Sequence, residues 1–182
     1  MKNNFSIIGY SGHSYVILDS AIKSSLKCQG YYDRSKKVFN PFGIKYLGLE
    51  KDIVNNQKLF ISIGDNHIRR KVYENLAKKD FISFLNILDP SSSVSKYAFI
   101  NPDSSISIGI NSTVNSLAVI ETGSIINSGA IIEHEVKIGK FTHVAPNATV
   151  CGNVEIGENV FLGANSIVKQ GIKIGNNSII GA

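Results

Sequence analysis

His134 is the residue of this chain best placed for chemistry, because Ile-Ile-Glu-His-Glu (131–135) sets a carboxylate on either side of an imidazole. Histidine changes charge near neutrality, so one held by an acid can take a proton from an attacking amine or hydroxyl. A solvated histidine among acids is the plain alternative. His143, in Phe-Thr-His-Val (141–144), follows nine residues later, while His13 and His67 fall in the first half. Gly9-Tyr10-Ser11-Gly12-His13-Ser14 joins an apolar run to a helical pattern, and backbone N–H groups at a helix start attract phosphate. The segment is not GxGxxG, so a tight turn without a ligand stays open. Arg34 and Arg69 could neutralise a diphosphate, or be ordinary surface arginines. Cys28 and Cys151 are the only cysteines, outside any CxxC spacing, which favours inert thiols over a disulfide or a metal site.

The elements that position these groups follow two rules. In the first half, apolar runs at Phe5 to Ile8, Gln29 to Tyr32, Lys58 to Ile63 and Phe81 to Leu88 alternate with helical patterns from about Tyr15 to Lys27 and Asn66 to Lys79. That rhythm predicts βαβ units on a small parallel sheet, a Rossmann-like domain over residues 1–90. The turn-rich Asp89-Pro90-Ser91-Ser92-Ser93 marks its end.

From about Ile106, over a second domain at 91–182, the rule changes. Ile108, Val114, Ile120, Ile126, Ile132, Ile138, Val144, Val150, Ile156, Leu162, Val168, Ile174 and Ile180 recur every six residues, and small or β-branched residues such as Ser112, Ala118 and Thr142 sit four places after them. A period of six is neither 3.6 nor 2, so each hexad is a short strand plus a corner, and three hexads close a triangular coil. Roughly four coils at about 4.8 Å spacing give a prism about 20 Å tall. Glycines directly after the aliphatic residue, such as Gly139, Gly157 and Gly163, suit flexible backbone or close approach. Gly152 follows His134 by one coil of 18 residues, so its N–H is a candidate oxyanion donor above the imidazole. His143, half a coil away, should lie on another side of the triangle.

Composition bounds the rest. With 43% hydrophobic and 18% charged residues, no signal-peptide pattern and no run of membrane-spanning length, the expectation is a soluble cytoplasmic protein. The net charge of +5 is unevenly spread, with 15 Lys and Arg against 8 Asp and Glu in residues 1–96 and 4 against 6 in residues 97–182. An anionic small ligand suits that excess, whereas the scattered lysines lack the aromatic interleaving of a nucleic-acid surface.

The hexad repeat resembles the hexapeptide acyltransferases, whose coils are left-handed. Together, residues 9–14, Ile-Ile-Glu-His-Glu, Phe-Thr-His-Val and Cys-Gly-Asn-Val (151–154) are similar to sugar N- and O-acetyltransferases related to the bacillosamine-pathway enzyme and to sialic acid O-acetyltransferases. The resemblance implies a homotrimer with acetyl-CoA, and no metal, in the groove between prisms. It implies an N-acetyltransferase acting on a nucleotide-linked 4-amino-sugar, with O-acetylation of sialic acid or a non-catalytic nucleotide-sugar-binding module as alternatives. By position it assigns Ser11, Gly12, His13, Asp33, Arg34, Gly64, Asp65, Asn66 and Arg69 to the nucleotide-sugar and Asn127 to the acceptor. His134 becomes the general base with Glu135 orienting it, His143 meets His134 of a neighbour, and His143, Gly152 and Gly163 line acetyl-CoA. Two histidines in the prism fall short of the three that a γ-carbonic-anhydrase-like zinc site needs. Relatives continue beyond Ser178-Ile179-Ile180-Gly181-Ala182, so the C-terminal coil is expected to be truncated.

Overall fold

A computed structural model describes residues 4–54 and 57–182. The N-terminal part is a five-stranded parallel sheet in the order β3-β2-β1-β4-β5, formed by β1 (Asn4–Ile8), β2 (Lys27–Tyr32), β3 (Lys45–Gly48), β4 (Gln57–Ile61) and β5 (Ile82–Phe84). Two helices cross over, α1 (Gly12–Lys23) after β1 and α2 (Asn66–Leu76) after β4. Phe5, Ile7, Ile17, Leu18 and Phe60 fill one side of the sheet, and Ile8, Leu59, Ile61 and Leu76 the other. The strand order reverses between β1 and β4, and in such sheets ligands sit at the carboxyl ends beside that point.

The run Phe81 to Leu88, expected as one strand, is divided between two sheets. After β5 the chain turns at Asn86, and β6 (Ile87–Leu88) pairs with Ser107–Ile108 as the first strand of the prism. The prism has faces of six, five and five strands, so it holds one more coil than the sequence period shows. Leu88, Val94 and Ile100 keep the six-residue spacing among themselves, but Ile108 comes eight residues after Ile100 and the phase is lost. Asn86 accommodates the extra residues, accepting from the Ser104 and Ile106 N–H groups and donating to the Asn101 carbonyl.

Inside, the periodic aliphatics from Ile108 to Val168 are buried, with Ala118, Ala130, Val136, Ala148 and Val154 packed between them. The corners bend at a position three residues after each aliphatic, where Asn111, Asn147, Asn153, Asn159, Asn165 and Asn177 take positive φ; asparagine tolerates this region better than other side chains with a Cβ. The glycines directly after the aliphatics serve close approach. A Cβ on Gly139 would lie 2.5 Å from the Gly157 carbonyl of the next coil.

Three faces follow in chain order. The first carries β6, Ile125–Ile126, His143–Val144 and Phe161–Leu162, the second Ile131–Ile132 and Thr149–Val150, the third Lys137–Ile138 and Glu155–Ile156. The N-terminal domain docks on the first face, which buries Ile87, Ser107, Ile125 and His143.

Candidate active site

The carboxyl ends of β1 and β2 open into a cleft of about 680 Å³ between the segment after β3 and helix α2. Ser11 and Gly12 stand at the start of α1, where the helix dipole favours an anion, and the Ser11 N–H donates to Ser14 Oγ at 2.8 Å in a capping box. A Cβ on Gly12 would meet nothing within 4 Å, so its space is open to a ligand. Asp33 directly follows β2, accepts from the Tyr10 N–H at 2.9 Å and pairs with Lys37 at 3.1 Å. Arg34, Lys37, Lys51 and Lys71 make the cleft basic, offset by Asp33 and Glu50. Of these, Lys37, Glu50, Lys51 and Lys71 went unnoticed in the sequence, because no motif or spacing links residues that come from separate segments.

Four residues expected near the nucleotide have other work. Arg69 is 1% exposed, and its guanidinium donates to the carbonyls of Ile63, Gly64, Gly123 and Phe141 and to Asn66 Oδ1, at 2.7 to 3.0 Å. With those groups as its partners it clamps the β4–α2 turn to two corners of the prism. Asn66 is buried and donates to the Val160 carbonyl at 2.9 Å. Asp65 caps α2 by accepting from the Ile68 N–H, and the Gly64 carbonyl is held by Arg69. The domain junction draws on these groups because a buried guanidinium must satisfy its donors within the protein.

Where the domains meet, the His13 and His143 ring centroids lie 6.2 Å apart. His143 Nε2 is 3.0 Å from Asn127 Nδ2, so Asn127 belongs to this cluster. Among the described residues, His13 Nε2 and His143 Nδ1 are buried without a hydrogen-bond partner. Burial, then the His143 and Arg69 charges, push the His13 pKa down to about 3. Burial and the Arg69 charge push that of His143 down to about 4, partly opposed by the Gly64 carbonyl. Both rings are therefore neutral at pH 7. His143 is 9% exposed and covered by its own chain. Gly163 lies on the first face below Gly181 and Ala182, which a Cβ would strike at 2.7 Å.

His134 stands apart from that cluster. It lies at the corner between the second and third faces, opposite the face that carries the N-terminal domain. Its side chain is 54% exposed, and Nδ1 is 3.0 Å from Glu135 Oε2. Glu135 has φ 61°, a left-handed conformation that a glutamate adopts only under constraint. Gly152 sits directly over the imidazole, where a Cβ would come within 2.6 Å of Nε2 and Cε1. Cys151 and Asn153 N–H groups on either side of it donate to Val168 and His134 carbonyls. Within one chain, the cleft at the strand ends and His134 thus face different directions.

Among the described residues, no group of three or more His, Cys, Asp or Glu is placed to hold a metal ion, and no helix is long and apolar enough to cross a membrane. Residues 4–76 match the family model of the PglD N-terminal domain, and residues 153–182 match that of the hexapeptide repeat of succinyl-transferase. Among solved structures, PerB from Caulobacter crescentus, crystallised with CoA and GDP-perosamine, is 27% identical over 98% of this chain and 86% of its own, with a TM-score of 0.88. The acetyltransferase domain of PglB from Neisseria gonorrhoeae FA1090, in complex with acetyl coenzyme A, is 23% identical over 99% and 88%, with a TM-score of 0.89. WeeI from Acinetobacter baumannii AYE is 18% identical over 98% and 89%, with a TM-score of 0.85. A PglD-type N-terminal domain, a prism of stacked hexads and this likeness along nearly the whole chain lead to one assignment: the chain is similar to the left-handed β-helix sugar acetyltransferases, and it is an acetyltransferase.

Proposed function

We propose that this chain transfers the acetyl group of acetyl-CoA to the amine of a nucleotide-linked 4-amino-sugar, with His134 as general base. The observation that carries the proposal is the exposed His134 imidazole, bonded through Nδ1 to Glu135. A proton held on Nδ1 toward the carboxylate leaves the Nε2 lone pair free to accept the amine proton as nitrogen attacks the thioester carbon. The tetrahedral intermediate then collapses, expelling the CoA thiolate, which the imidazolium reprotonates. Gly152 stacks over the imidazole, and its N–H is the proposed donor to the developing oxyanion. Similarity to a structure holding CoA and GDP-perosamine supports a nucleotide-linked amino-sugar as acceptor and acetyl-CoA as donor.

The nucleotide lies in the cleft at Ser11, Asp33 and Arg34, next to Gly12 at the start of α1, and the sugar reaches toward His13, Asn127 and His143. Because His134 is on the corner opposite the docked domain, the site is completed by a neighbouring copy in a homotrimer. Acetyl-CoA then lies between prisms, near His143, Gly152 and Gly163, and the reaction runs in the cytoplasm, where acetyl-CoA is supplied. The test is a thiol-release assay with acetyl-CoA and a panel of nucleotide-linked amino and hydroxyl sugars, with light scattering for the oligomer. Release confined to hydroxyl acceptors would replace N- by O-acetylation, and binding without release would leave a non-catalytic module.

A further inference from the structure

If the cleft beside Asp33 holds a nucleotide-sugar, as proposed above, the base lies at the end away from the phosphate-binding start of α1. Leu49, from the segment after β3, and Ile68 and Val72, from α2, give that end apolar walls suited to a flat ring. Its polar groups include Glu50 and Lys71. Glu50 is half-buried, and among the described residues its carboxylate has no hydrogen-bond or ion-pair partner. Burial raises its pKa, against the Lys79 and Lys71 charges that lower it. A desolvated acceptor without a donor is costly, and a ligand that supplies donors relieves that cost.

The bases differ in what they offer such a group. Guanine presents N1–H and an N2 amino group side by side, matching the two oxygens of a carboxylate, with O6 next in line for a cation. Uracil and thymine carry one N–H between two carbonyls, so the second carboxylate oxygen would face an acceptor. Cytosine and adenine pair a single amino donor with a ring-nitrogen acceptor, and meet the same repulsion. We propose that the cleft selects guanosine-diphosphate-linked sugars, with Glu50 accepting from guanine N1–H and N2–H and Lys71 donating to O6.

Calorimetric titration of the full chain with GDP, IDP, UDP, dTDP and CDP at one salt concentration tests the assignment. GDP should bind roughly 10- to 100-fold more tightly than UDP, the range for a charge-assisted hydrogen-bond pair, with IDP in between because it lacks the N2 amino group. Glu50→Gln should bring GDP down to about the UDP level and leave UDP within about twofold. UDP binding as tight as GDP, or a Glu50→Gln protein keeping the wild-type ratio, would overturn the base assignment while the nucleotide site stands. Binding of no diphosphate at all would overturn both. An unchanged melting temperature for Glu50→Gln separates a lost contact from a damaged fold.

Discussion

Replacing Arg69 by methionine removes a buried guanidinium while keeping most of its aliphatic length, so the loss is almost wholly polar. Three of its five hydrogen bonds are buried, those to the Gly123 and Phe141 carbonyls in the prism and to Asn66 Oδ1. The bonds to Ile63 and Gly64 are part-buried, where water can substitute. A buried polar group left unpaired costs about 1 to 3 kcal/mol, and relief from burying the charge returns part of that, which leaves a net loss of about 3 to 5 kcal/mol. For a chain of this size each kcal/mol moves the melting temperature by about 2 to 4 °C, so a fall on the order of 10 °C is expected. The bonds lost join two domains, so the calorimetric transition should also broaden or split as the N-terminal domain releases before the prism. Scanning calorimetry measures the stability, and a GDP titration on the same protein measures binding. A melting temperature within about 3 °C of wild type, with nucleotide binding lost, would refute the clamp and return Arg69 to the diphosphate.

Further expectations concern the two halves of the site. His134→Ala should lower kcat/KM about 10²- to 10⁴-fold in the thiol-release assay with little change in melting temperature, since the side chain is largely exposed; full activity would end the general-base proposal. Gly152→Ala should impair turnover in the same direction, because the new Cβ forces the imidazole from its position, and an unaffected variant would show that the ring is free to move. Gly12→Val should abolish nucleotide binding by calorimetry while the protein melts as wild type, because the added side chain meets no protein atom and fills the open space beside Ser11 at the start of α1. His13 and His143 have folded-state pKa values of about 3 and 4, below their ordinary value, so the unfolded chain binds more protons than the folded one at mildly acidic pH. Their contribution is full above about pH 6.5 and is lost as pH falls toward 4 and then 3. Melting curves between pH 7 and 4 should converge for wild type and His143→Asn if this holds, and parallel curves would count against it.

The sequence by itself determined the prism, since a six-residue aliphatic period with small residues four places on admits few other arrangements, and it put Gly152 over His134 by counting one coil. It also determined βαβ units in the first half, where periodicity follows from one buried side of each helix and alternate burial along each strand. It did not disclose the first coil, because two extra residues before Ile108 break the phase and only Asn86, through three hydrogen bonds, shows how they are accommodated. It also did not disclose what Arg69 does. A βα-turn arginine in a basic domain fits a phosphate ligand as well as a clamp, and the difference lies in carbonyls at 123 and 141 that packing alone brings to it. Tertiary structure likewise decided that His13, Asn127 and His143 gather at one junction while His134 faces away on the opposite corner. Local sequence fixes what a residue is and the side of its strand or helix it occupies, but the docking of one domain on one face of the prism fixes which residues meet.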